Sequence, residues 1–110
     1  MSRSSPHPLH LSGDLSLRTI ADLHARLQAA VAGHDTVAIS TDGIESIDIA
    51  AIQLLVSAAR TAAAADKVLT VAAELESPTG RALVGAGLFA ADGSPLVSTL
   101  SHWTISREAA

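Results

Sequence analysis

Three groups of residues in this 110-residue chain have types and spacing that could do chemistry. Five histidines come first: His7, His10, His24, His34 and His102. A zinc or similar ion needs several donors brought together, and helical ligand pairs sit four residues apart. No two of these histidines have that spacing, there is no cysteine, and no cluster of carboxylates accompanies them. Solvated or capping histidines are the reading, with no metal site. Second, Ser46 and Asp48 together with a histidine make a nucleophile triad on paper. The Gly-x-Ser-x-Gly turn that exposes such a serine is missing, so no catalytic residue is assigned. Third, Gly85-Ala-Gly87 has the look of a phosphate loop, yet it follows a helical pattern and lacks Gly-Lys-Ser/Thr. It reads as a helix C-cap, and no cofactor is implied.

What remains is Asp42-Gly-Ile-Glu-Ser-Ile-Asp48-Ile-Ala-Ala-Ile-Gln-Leu-Leu55. Asp48 precedes an apolar run with helical periodicity, where it supplies an N-cap and a negative charge. The first helical turn presents unpaired N–H groups and a partial positive potential that a partner loop can read. Ala50, Gln53 and Ser57 share one helix face at i, i+3 and i+7, a surface of small residues that another backbone can approach. Asp48, Ile49, Ala50, Gln53 and Ser57 are therefore the candidate binding residues. The plainer alternative is that Asp48 is a cap and the alanines are helix filler.

The elements that position this stretch follow from hydrophobic spacing. Leu9, Leu11, Leu15 and Leu17 alternate with polar residues about Gly13-Asp14, which predicts an opening hairpin. Ile20, Leu23, Leu27 and Val31 predict a first helix over about 19–32, with Thr19 and Asp22 as capping box and Gly33 as stop. A short buried strand covers 37–41, and Asp42-Gly43 turns the chain. A second helix runs from 49 to about 65, with Ile52, Leu55, Val56, Ala59 and Ala63 facing the core. Val68-Leu-Thr-Val-Ala is another strand, and Ser77-Pro78 starts a short third helix carrying Leu83, Val84 and Leu88. Asp92-Gly93 and Ser94-Pro95 mark a turn, and Leu96 to Leu100 fits a strand or a helical turn. Helices alternating with strands give an α/β sandwich with at least part of the sheet parallel and, by right-handed crossover, helices mainly on one face.

Composition bounds the function. With 48% hydrophobic and 16% charged residues the chain has ample material for one core. A net charge of −4 with dispersed cations, and only Phe89 and Trp103 as aromatic rings, disfavours nucleic acid and a polybasic membrane anchor. Trp103 either packs the C-terminal end onto the domain or anchors an interface. The absence of cysteine suits a reducing compartment, hence the cytoplasm. Residues 1–8 lack the apolar centre of a secretory signal and read as a disordered lead, 9–100 as the domain, and 101–110 as a tail. The longest apolar stretch, interrupted by Gln53, Ser57, Arg60 and Thr61, falls short of the roughly 20 residues of a spanning helix, so no direct membrane insertion is expected.

From about residue 9 to 90 the chain resembles the STAS domains of bacterial anti-sigma-factor antagonists. The likeness is carried by Leu9-x-Leu11-x-Gly13-Asp14-Leu15, the Leu/Ala-rich first helix, the Asp42–Leu55 stretch and the strand at Val68. In that family an Asp is followed by two small, often hydroxylated residues and a Gly, which correspond to Asp48, Ile49, Ala50 and Ala51. The resemblance implies a STAS-like sandwich with a mixed four- to five-stranded sheet. It also implies a module that binds proteins rather than catalyses. Ala50 occupies the position of the family's phospho-acceptor Ser or Thr and has no oxygen to phosphorylate. The expected partner is an anti-sigma factor or histidine-kinase-like ATPase, a chemotaxis kinase complex, or the ATPase of a phospholipid ABC transporter, with a homodimer left open. A small-ligand module holding an anion at the second helix is a further class.

Overall fold

The computed structural model describes residues 6–106. Four strands and three helices alternate: β1 (His7–Leu15), α1 (Ile20–Gly33), β2 (Thr36–Ile47), α2 (Ile49–Ala64), β3 (Val68–Glu74), α3 (Pro78–Gly85) and β4 (Thr104–Ser106). One-turn 3-10 helices stand at Leu17–Thr19 and Ser98–Leu100. The sheet order is β1-β2-β3-β4, with every neighbouring pair parallel.

Side-chain alternation sets the layers. Leu9, Ile39 and Val71 lie side by side across three strands, and all are buried. One residue further on, His10, Ser40, Ala72 and Thr104 line up across all four strands on the other face. There they are exposed or half-buried. The helices thus cover one face and leave the other open, the arrangement expected of a STAS-like α/β sandwich. α1 buries Leu23, Leu27, Ala30 and Val31, and α2 buries Ala51, Ile52, Leu55, Ala59 and Ala62. Each buried leucine contributes about 1.5–3 kcal/mol, while the alanines let α2 lie close to the sheet. Ala62, not Ala63, completes the inner stripe, and Val56 is only half-buried.

The opening hairpin does not form. Residues 7–15 make one strand, and its partner is β2, about thirty residues later. Both glycine signals near it belong to irregularities in that pairing. The register shifts between His10 and Ser12, opposite Gly43, and again between Gly13 and Asp14. A side chain at Gly43 would come within 2.9 Å of the Ser12 Cβ, so the glycine permits close strand approach. Gly13 has φ +76°, a left-handed conformation suited to a bulge. Asp42-Gly43 is therefore not a turn, and β2 continues to Ile47. The extra β2 residues change which side chains point inward, from Val37, Ile39 and Thr41 to Ile44.

Caps define the helices. Ser77 caps α3 by accepting the Gly80 N–H at 3.1 Å, and Gly87, φ +79°, closes it. There Leu88 N–H reaches Leu83 O and Gly87 N–H reaches Val84 O, a Schellman ending. Ahead of α1, Ser16 caps the 3-10 turn Leu17–Thr19: it accepts from Arg18 N–H while its own N–H donates to Thr19 Oγ1. Thr19 makes no side-chain cap bond for α1, so the Thr19/Asp22 box is not used.

Beyond α3, Phe89 and Trp103 are buried with ring centroids 6.3 Å apart, and β4 adds to the β3 edge. Trp103 packs inside the domain, which removes it as an exposed anchor. Leu96 to Leu100 resolves into a loop ending in a helical turn. Of the expected lead, residues 1–5 lie outside the described residues, while His7 and Pro8 belong to β1; of the expected tail, 107–110 lie outside them.

Candidate functional site

The strands β1 and β2 end side by side, because they are parallel and Leu15 pairs with Ile47. Their carboxyl ends feed the first turns of two helical segments at one end of the sheet. Asp48 joins those turns. Its Oδ1 accepts the Ala51 N–H at 3.0 Å, the cap expected for α2. Its Oδ2 accepts the Leu17 N–H at 3.0 Å, and its own N–H donates to Leu15 O at 3.0 Å.

Beside it Asp14 accepts hydrogen bonds from the Ser46 and Ser16 hydroxyls, the latter at 2.9 Å, with the Arg18 guanidinium 3.7 Å away. These donors, Ser46 first, hold the Asp14 carboxyl below the usual aspartate pKa. That makes Asp14 a poor base toward Ser46, and no histidine is hydrogen-bonded to Ser46 or Asp48. The cluster ties the ends of β1 and β2 to the turn that follows β1. Among the described residues no three His, Cys, Asp or Glu side chains gather as a metal site. His7 and His34 stack with ring centroids 3.8 Å apart.

The five candidate residues divide into two places. Asp48 and Ala50, both half-buried, belong to the start of α2. Ile49, Gln53 and Ser57 line a groove of about 420 Å³ between α2 and the segment after α3, together with Ile52, Val56, Arg60, Ala86 and Leu88. Gln53 and Ser57 are exposed.

Among the described residues, three large hydrophobic ones remain more than half exposed: Leu17 at 70%, Leu96 at 60% and Ile49 at 55%. Ile49 is in the groove. Leu17 is hydrogen-bonded to Asp48, next to Ile49, and the Leu96 N–H donates to Leu88 O at 2.9 Å on the groove's other wall. Leu17, Leu88, Leu96 and Arg60 were not visible as site residues in the sequence. The period-2 pattern placed Leu17 in a strand, and no local signal brings Leu96 to α2.

A parallel sheet backed on one face by helices, with Asp48 capping α2 beside a groove, defines a domain of the α/β sandwich class. A family model described as "Mlab, STAS domain" matches residues 2–102, and the chain belongs to the STAS domain family. No curated protein and no solved structure gives a significant match. STAS domains are in general non-catalytic and mediate protein–protein interactions. No helix among the described residues is long and apolar enough to cross a membrane.

Proposed function

We propose that this chain is a non-catalytic, cytoplasmic protein-binding module of bacterial signal transduction, an anti-sigma-factor antagonist-like or chemotaxis-associated STAS scaffold. Its partner surface comprises Asp48, Ile49, Ala50, Gln53 and Ser57. The observation that carries this reading is that the exposed large hydrophobic residues among those described flank the start of α2 and its groove: Ile49 lines the groove, Leu17 is hydrogen-bonded to Asp48 and Leu96 to Leu88. Ala50 stands where the family carries its acceptor hydroxyl, so the contact is not switched by phosphate at that position. That same feature favours a second reading, a STAS subunit held against the ATPase of a phospholipid ABC transporter, because a standing subunit needs no such switch.

Ala50→Arg tests the surface in pull-downs against the proteins encoded beside this chain, with a thermal melt in parallel. Loss of binding with little change in melting supports the site, since a half-buried position can direct a long side chain outward. Normal binding with an unchanged melt overturns it. If Ala50→Arg unfolds the domain, Gln53→Arg on the same helix, which is exposed, decides the question. Whether the captured protein is a signalling kinase or a transporter ATPase separates the two readings.

A further inference from the structure

The groove has one charged side chain. Arg60 is the only ionisable residue on α2, and neither α2 nor α3 contains an Asp or Glu, although the chain as a whole carries a net charge of −4. Arg60 is exposed, and the one ion pair among the described residues, Arg18 with Asp14, does not involve it. Among the described residues no side-chain hydrogen bond holds it. From Ile49, at one end, to Arg60 is about 16 Å along the helix, and Val56 lies one turn before Arg60. The surface therefore carries the aliphatic side chains of Ile49, Val56 and Leu88, with Gln53 and Ser57 among them, and ends in a guanidinium that has no partner among the described residues.

We infer that this groove takes an amphipathic helical segment of a partner protein, whose aliphatic side chains lie on Ile49, Val56 and Leu88 and whose carboxylate, about one turn beyond the residue on Val56, pairs with Arg60. This rests on the proposed role as a protein-binding module and names the chemistry of the partner. A helix laid in an apolar groove reads its host through side chains at i, i+3, i+4 and i+7. Closure of the groove removes water from around Arg60, so a planar guanidinium selects a carboxylate and rejects a cation. A nucleic-acid strand or an anionic lipid surface would call for several cations, and this face has one in the groove.

The test is selection of 16-residue peptides from a random displayed library on the full chain, followed by titration of the enriched peptides as synthetic probes. The expected peptides carry an aliphatic helical stripe followed within a turn by Glu or Asp. Their affinity falls about tenfold or more for Arg60→Glu, is largely kept for Arg60→Lys, and returns for Arg60→Glu when the acidic residue is changed to Lys. Enriched peptides without acidic preference, affinity indifferent to Arg60→Glu, or no enrichment at all each overturn the inference. So does sedimentation showing that the chain dimerises and that Arg60→Glu abolishes the dimer, which would make a second copy the occupant. Binding lost with Ala50→Arg but kept with Arg60→Glu leaves the proposed function standing and removes this inference; the reverse pattern keeps the groove and removes the helix-start site.

Discussion

Asp14 and Asp48 are two aspartates in one corner with different duties. Asp48 spends both oxygens on backbone N–H groups, one on its own helix and one thirty-one residues earlier, at Leu17. The first bond was legible in the sequence as an N-cap; the second was not, because it depends on β1 running parallel to β2. Asp14 instead collects hydroxyls, chiefly Ser46, and its pKa is lowered as a result. A carboxylate with a folded-state pKa below its unfolded value stabilises the fold fully above about pH 4, and that contribution fades as pH falls through the folded value. Ser46→Ala should raise the Asp14 pKa toward the ordinary value and shift the acid-side loss of stability to higher pH. NMR titration of the Asp14 carboxyl, alone and in Ser46→Ala, checks this; an identical titration in both proteins would show that Ser46 does not hold the charge. Ala50 illustrates the limit of reading residues singly. Its type excludes phosphate, but its partial burial is decided by how α2 rolls onto the sheet.

The helices were largely legible, because apolar spacing and caps act locally: α1 and α2 start and stop within a residue or two of the positions their periodicity predicts, and α3 starts at Pro78 as Ser77-Pro78 predicts but ends at Gly85, leaving Leu88 beyond it. The strands were less so, since a Gly-Asp or Asp-Gly pair marks equally a turn and a bulge, and only the distant partner decides. Helix endings show how the same geometry is met with different residues. α2 and α3 both close in Schellman motifs, with Lys67 N–H to Ala62 O and Asp66 N–H to Ala63 O at the end of α2. The left-handed residue of α3 is Gly87, whereas that of α2 is Asp66, φ 60°. Asp66→Gly should therefore stabilise the domain, by up to about 1 kcal/mol, after the greater freedom of glycine in the unfolded chain offsets part of the relief. Gly80→Ala should act oppositely. A Cβ there would lie 2.1 Å from Glu74 O and 2.7 Å from Leu75 O, rigid backbone in both cases, and a loss of about 3 kcal/mol or more is expected. Denaturant midpoints of the two variants against the parent check both signs; a Gly80→Ala protein of unchanged midpoint would mean α3 can move freely from the end of β3.

At the scale of the whole molecule, the fold closes at its C-terminal end. Leu100, Trp103 and Ile105 are buried, and β4 completes the sheet. Sequence patterning had little to say here, because β4 is three residues long and its neighbours are loop. Trp103→Ala should cost about 3–5 kcal/mol, the range for truncating a packed aromatic residue. Since Trp103 is the only tryptophan, its fluorescence also reports on this end of the domain. Urea transitions followed by that emission and by far-UV circular dichroism should coincide in the parent; an earlier fluorescence transition would mean the C-terminal end opens alone. The all-parallel sheet has a further consequence, in time rather than in space. His7 pairs with Val37, Thr36 with Val68 and Ala72 with Thr104, so each strand's partner lies about thirty residues downstream. On a ribosome adding roughly 5–20 residues per second, each strand waits about 2–6 seconds after it emerges before its partner exists. During that wait the helix made in between is the only local structure available, and β3 keeps one bare edge until almost the last described residue has been synthesised.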